Sequence, residues 1–335
     1  MISKLKELVN IPSVAGETAE IDKALGKIKE YLGNSFCFKE YKQGSLKSLL
    51  VSKVPKTKFK VLLYGHIDVV SAKEYELKEE HGKLIGRGIY DMKGILWNLL
   101  EVFKQLSSDD IGFLISTDEE IGGQSTKLAC ENGVSAEIVI MCDSGDEKTI
   151  ITGHKGSVIC ELEVSGKSCH SAYPEKGDNP ILKLPMVIKT VQQLMLEHQD
   201  MTVVPTVVTC GSAGNKVPDK LGMKLNIRFL NEESLNSAIK ALSGCGEIKV
   251  LHKDPIFKID LGSPLAKKYI ELAEEKFGKI ELETSATTSD AVYFGKTPVI
   301  IHRPKGGGSH SEHEWLDIES MENFKALVKE FLVSI

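Results

Sequence analysis

A chain of 335 residues exceeds what one simple core accommodates and calls for two domains, or one domain carrying an insertion. Hydrophobic residues at 41% and charged residues at 27% are ordinary for a globular protein, and a net charge of −5 without a dense Lys/Arg run argues against nucleic acid and anionic membranes as partners. No apolar stretch nears the length of a membrane span, and the opening "MISKLKELVNIPSVAGE" reads as a short amphipathic helix and a turn, without the apolar core of a signal peptide.

From Phe59 the expected order is a strand ("FKVLLYGHIDVV"), a loop, a helix ("DMKGILWNLLEVFKQL"), a strand ("IGFLIST"), a helix from Ser125 and a strand ("EIVIMCD"). Strands alternating with helices at this spacing predict an α/β layer with parallel pairs. Near Gly153 the texture changes. "GSVICELEVSG" alternates like a half-exposed strand, followed by a helix ("NPILKLPMVIKTVQQLMLEH"), two strand candidates ("TVVPTVVTCGSAGNKVPD", "KLGMKLNIRFL"), a helix around "EESLNSAIKAL" and a strand in "GEIKVLHK". That β-α-β-β-α-β order predicts a ferredoxin-like α+β unit. After Asp260 the first texture returns, with "SPLAKKYIELAEEKFG", "TPVIIHRP" and a helix from Ile318. The expected architecture is a catalytic α/β domain with a mainly parallel central sheet and flanking helices (residues 1–154 and 259–335), interrupted by an inserted domain (155–258).

Seven cysteines at 37, 130, 142, 160, 169, 210 and 245 form neither C-x-x-C nor zinc-ribbon spacing, and read as reduced thiols of a cytoplasmic protein. No N-x-S/T glycosylation acceptor occurs.

Chemistry collects at element ends. In "GHID", His66 and Asp68 stand two apart, which on a strand directs both side chains to one face. "GRGIYDMKG" sets Asp91 at a loop-to-helix junction, "STDEEIGG" stacks Asp118, Glu119 and Glu120 after an apolar strand, "IMCDSGD" presents Asp143, and "GGGSHSEHEW" offers His310 and His313. Each alone has a plain structural alternative: a core histidine, a helix cap, a solvated acidic turn, an Asx-turn, an exposed loop histidine. Together, two histidines and several carboxylates without cysteine form a donor set suited to zinc, with cobalt or manganese as alternatives. The surplus of carboxylates is what a pair of ions sharing one carboxylate needs.

These segments, in this order, resemble the acetylornithine deacetylase, succinyl-diaminopimelate desuccinylase and aminoacylase family of dinuclear zinc metallopeptidases. The likeness extends to "HKGSVICELEVSGKSCHSAYPEKGDNP", "GNKVPD…NIRF" and "TTSDA", and so to nearly the whole chain. The resemblance implies that His66, Asp91 and Asp143 hold one metal ion and Asp91, Glu120 and His310 the other. It implies that Asp68 hydrogen-bonds His66, that Glu119 is the general base for the attacking water, and that His170, from the inserted domain, stabilises the oxyanion across a homodimer. Asn215 and Arg228 match substrate-contacting positions, and the insert becomes a lid and dimerisation domain. The implied substrate is a small N-acyl amino acid or a dipeptide. Asp143 stands where many deacylases carry Glu and where dipeptidases and aminopeptidases of the family carry Asp.

Rival readings fail on particular residues. "YFGKTP" would need glycine at Asp290 to be a phosphate-binding loop. Cys169 and His170 are consecutive, so in an extended stretch they face apart. No H-E-x-x-H is present.

Overall fold

A computed structural model describes residues 2–335, which divide into two compact units. The larger comprises the chain up to Gly153, then Lys258–Ser285 and Ser289–Ile335; the smaller comprises His154–Phe257 with Ala286–Thr288.

The larger unit opens with helices α1 (Ile2–Val9) and α2 (Thr18–Leu32) and a hairpin, β1 (Cys37–Gln43) and β2 (Leu46–Ser52), that the sequence reading did not anticipate. β3 (Lys58–His66), α3 (Lys93–Gln105), β4 (Ile111–Ser116), α4 (Gln124–Glu131) and β5 (Ser135–Met141) follow. β3 pairs in parallel with β4 on one side and β5 on the other, while β2 pairs antiparallel with β4. The chain therefore reverses its direction of winding at β3. In open α/β sheets a crevice forms at that switch point, beyond the carboxyl ends of the strands. β3 and β4 are apolar nearly throughout because a central parallel strand is covered on both faces.

α3 is buried from Lys93 through Phe103 and packs on β3, α1 and the last helix. Its Lys93 is itself fully buried, donating to the carbonyls of Val9, the last residue of α1, at 2.9 Å and of Ile11, two residues further, at 2.7 Å. Burial brings this ammonium down to about 7.

The smaller unit holds β6 (Gly156–Ser165), α5 (Leu184–Glu197), β7 (Thr202–Cys210), β8 (Lys220–Phe229), α6 (Glu232–Ser243) and β9 (Glu247–Asp254). Its sheet runs β7-β8-β6-β9, antiparallel throughout, which is the ferredoxin-like order expected from the β-α-β-β-α-β pattern. Period-two alternation sends Val158, Cys160, Leu162 and Val164 of β6 and Leu221, Met223, Leu225 and Ile227 of β8 inward, against Val187, Val191 and Leu194 of α5 and Leu235, Ala238 and Leu242 of α6. Asn231 starts α6 by accepting the Ser234 N–H at 2.7 Å.

Back in the larger unit, α7 (Pro264–Phe277), β10 (Val299–Ile301) and α8 (Ile318–Val333) complete the layer. β10 joins the sheet parallel to β5, and Asp317 caps α8 through the Ser320 N–H at 2.9 Å.

Candidate metal centre

The candidate centre forms where β3, β4 and β5 end, at the switch point. β3 stops at His66, and β4 runs through Thr117 and Asp118 into a single 3-10 turn, Glu119–Ile121. Asp143 lies two residues beyond β5, Asp91 two residues before α3, and His310 just beyond the Gly306–Gly308 segment.

Two donor groups share one carboxylate: His66, Asp91 and Asp143, and Asp91, Glu120 and His310. His66 Nε2 lies 3.3 Å from Asp91 Oδ1 and 3.9 Å from Asp143 Oδ1. His310 Nε2 lies 3.4 Å from Asp91 Oδ2 and 2.9 Å from Glu120 Oε2. Asp91 thus turns one oxygen to each group. Donors held about 2.0–2.2 Å from a tetrahedral ion sit roughly 3.3–3.6 Å apart, so these spacings approximate the edges of ligand shells.

The donors also fit divalent cations electrostatically. Glu120 Oε1 is buried without a hydrogen-bond partner among the described residues, an acceptor whose desolvation nothing in the protein offsets. Burial lifts Glu120 to about 7 and Asp143 to about 6, with the Asp91 charge adding to both. Burial also pushes Glu119 well above the usual carboxylate range, helped by Asp143. At His66, burial works against protonation, yet Asp68 and Asp91 overcome it and hold the imidazole well above its ordinary value. At Asp91 burial is likewise outweighed, here by hydrogen bonds from His310 and His66, and the carboxyl lies well below its usual range. The imidazoles draw protons for the reason the cluster would draw a cation: carboxylates are in excess.

Protons and cations therefore compete for these atoms. Glu120, Asp143 and His66 must each be deprotonated to act as ligands, so metal affinity should climb with pH, most steeply across about 6 to 7. Titrating metal-free protein with Zn²⁺ at about pH 5.5 and about pH 7.5 measures this, and equal affinities would contradict it.

Asp68 lies beyond the last residue of β3, so strand alternation does not govern it; Val69 has left the sheet and bridges Val14. His66 Nδ1 is 3.0 Å from the Asp68 main-chain carbonyl and 3.4 Å from its carboxylate. The carboxylate accepts the N–H groups of Glu119 at 3.3 Å and Glu120 at 3.0 Å, an arrangement that the H-x-D spacing gave no sign of. One aspartate thereby ties the first histidine to the acidic turn. Gly123, in the left-handed region at φ 61°, closes that turn where a Cβ would lie 1.6 Å from the buried Asp290 carboxylate. Asp118 turns away from the centre and accepts the Ser125 N–H at 3.1 Å, so the first acid of "DEE" needs no cation.

Glu314 escaped the sequence reading. It is 1% exposed, and its carboxylate accepts Arg87 Nη1 at 2.8 Å and the N–H groups of Gly88, Tyr90 and Asp91 at 3.0, 2.8 and 2.8 Å. Four residues after His310, it fixes the loop that carries Asp91. An acid inside "SHSEHEW" looks solvated in sequence; its burial is a tertiary fact.

Of the ten residues to which the family resemblance gave a role, seven lie in the larger unit; His170, Asn215 and Arg228 belong to the smaller one. There, the segment Cys169–His170 pairs antiparallel with Lys216–Val217, and Ser171 N–H donates to the Asn215 carbonyl at 3.0 Å, which brings His170 and Asn215 together. His170 Nδ1 accepts the Ala172 N–H at 3.1 Å, so the neutral ring carries its proton on Nε2. Arg228 lies on β8 with Nη1 buried and unpartnered among the described residues.

A shared-carboxylate donor set beyond the ends of parallel strands, at the switch point of the sheet, is the arrangement of a metal-dependent hydrolase. The chain belongs to peptidase family M20/M25/M40, whose model matches residues 62–334. It is 29% identical over 261 residues to a succinyl-diaminopimelate desuccinylase of Legionella pneumophila (strain Lens), covering 69% of this chain and 68% of that one. Among solved structures it is similar to a tripeptidase from Staphylococcus aureus (TM-score 0.82, 22% identity, 98% of this chain and 96% of that one). It is also similar to an M20 family metallo-carboxypeptidase from Sulfolobus solfataricus (TM-score 0.77, 20% identity, 99% and 98%). The protein is accordingly a hydrolase of amide or peptide bonds, and its family implies divalent metal ions.

Proposed function

We propose that the chain hydrolyses the amide bond of a small N-acyl amino acid, in the manner of acetylornithine deacetylases and succinyl-diaminopimelate desuccinylases, with two divalent ions, zinc foremost and cobalt or manganese as alternatives. The observation that carries this reading is Asp91, with Oδ1 toward His66 and Oδ2 toward His310. When bound, two such ions supply Lewis acidity to the scissile carbonyl and to the attacking water. His66, Asp91 and Asp143 hold one ion, and Asp91, Glu120 and His310 the other. Asp68 orients both His66 and the Glu119–Glu120 turn. Glu119 takes the proton from water and returns it to the departing amine, a role suited to a carboxyl whose burial favours the protonated form. His170, protonated on Nε2, donates to the developing oxyanion. The planar fork of Arg228 receives the substrate carboxylate and Asn215 adds an amide contact.

A second reading, a dipeptidase or aminopeptidase of the same family, is favoured by Asp143 in place of the longer Glu. One comparison separates them: rates on acetylornithine, succinyl-diaminopimelate, other N-acyl amino acids and dipeptides, measured with zinc or cobalt present. Deacylation should exceed dipeptide cleavage at least tenfold, as an order of magnitude. A faster dipeptide rate transfers the proposal to the second reading, and no turnover on any of them removes both.

The chain is further proposed to act as a cytoplasmic homodimer through the smaller unit. Its edge strand β7 exposes Val204, Val207 and Val208, and the neighbouring α5 region exposes Leu182, Met186 and Leu196, more apolar surface than a lone edge ordinarily shows. Mixing Glu119→Gln with His170→Ala subunits should restore part of the activity that each lacks. Demonstrably mixed dimers without restoration would refute a histidine acting across subunits.

A further inference from the structure

Arg303 follows the end of β10, the strand that runs parallel to β5 and beside it. Its guanidinium carbon lies 3.8 Å from the centroid of the Tyr90 ring. Its Nε donates to the Gly145 carbonyl at 3.2 Å, and the Tyr90 hydroxyl donates to the same oxygen at 3.3 Å. Tyr90 precedes Asp91, and Gly145 follows Asp143 by two residues. A single side chain therefore spans the two turns that deliver Asp91 and Asp143.

Neither turn has room to drift. Tyr90 is 4% exposed, with its N–H held by Glu314. Gly145 sits at φ 85°, where a Cβ would approach the Thr149 carbonyl oxygen to 2.3 Å. Arg303 Nη1 is buried and without a hydrogen-bond partner among the described residues, so the guanidinium is kept in place against a desolvation cost. Charge points the same way. Of the donors, Asp91 and Asp143, the two whose turns Arg303 spans, are the ones that feel its positive charge.

We propose that Arg303 is a positioning residue for the metal centre: through Tyr90 and Gly145 it sets the separation of Asp91 and Asp143 before a cation arrives, so that the triad with His66 is preformed. This role rests on the divalent-cation site proposed above. It acts on ligand geometry and not on the reacting atoms.

The test is Co²⁺ binding to metal-free protein, followed by calorimetry and visible absorption, in a His310→Ala background that leaves the triad of His66, Asp91 and Asp143. Arg303→Gln should weaken binding about tenfold and alter the cobalt spectrum, which a merely structural residue would not do. Arg303→Lys should fail to restore it, because an ammonium has neither the plane to stack on Tyr90 nor the fork. Tyr90→Phe keeps the ring and loses one hydrogen bond, and should show a smaller loss in the same direction. If Arg303→Gln does not fold, the other two variants carry the measurement. Unchanged affinity and spectrum with a lowered Tm would make Arg303 a stability residue only and overturn the proposal. Tighter binding would overturn it too, since the guanidinium would then act only by repelling the ion. Failure of the unsubstituted protein to take up Co²⁺ is a separate result that removes the metal reading itself, and this role with it.

Discussion

Glu119→Gln should lower kcat by about 10²–10⁴-fold while leaving bound metal and the thermal transition unchanged. The substitution keeps the size of the side chain and the backbone N–H that Asp68 holds, and removes only the ability to take a proton. Glu119 is not among the donor atoms of either triad, so metal content is the internal control. Steady-state kinetics with metal analysis of the same samples decides it. A variant that keeps more than about a tenth of the activity would show that the proton goes elsewhere. Lost metal would show that Glu119 is a ligand.

Glu314→Ala should cost more in stability than any other single change considered, about 3–5 kcal/mol. It strands the Arg87 guanidinium, whose side chain is 3% exposed, and frees three N–H groups of the loop before α3. Removing one partner of a buried pair is costly because the other charge stays behind, desolvated. Metal affinity should fall as well, since the freed loop carries Asp91. Denaturant unfolding of metal-free and metal-loaded protein separates the two effects. The double variant with Arg87→Ala should be less destabilised than the two single losses combined, because the stranded charge is gone. A loss within about 1 kcal/mol of the unsubstituted protein would mean that the pair does not hold the loop.

The α/β layer, its parallel centre and the ferredoxin-like insert were legible because hydrophobic period and element order are local. "FKVLLYGH", "IGFLIS" and "EIVIM" are apolar in the manner of covered strands, and "GSVICELEVS" alternates in the manner of a one-faced sheet. The hairpin β1–β2 went unread, since "CFKEYKQ" is polar at an edge and offers only partial alternation. Acids and histidines at strand ends could be gathered as candidates from sequence because placement after an apolar run is visible there.

By itself the sequence determined which side chains could meet beyond the strand ends, and it reached a family through their order. Only the tertiary structure decided how they are held. Asp68 spends its carboxylate on the Glu119–Glu120 turn, Asp118 faces Ser125, Glu314 is buried beneath the Asp91 loop, and Arg303 bridges Tyr90 to Gly145. These contacts join residues up to 227 positions apart, and an exposed acid and a buried one are the same letter. Periodicity reports which way a side chain leaves its own element. What it meets there depends on the neighbouring loops, whose paths follow from packing the whole sheet.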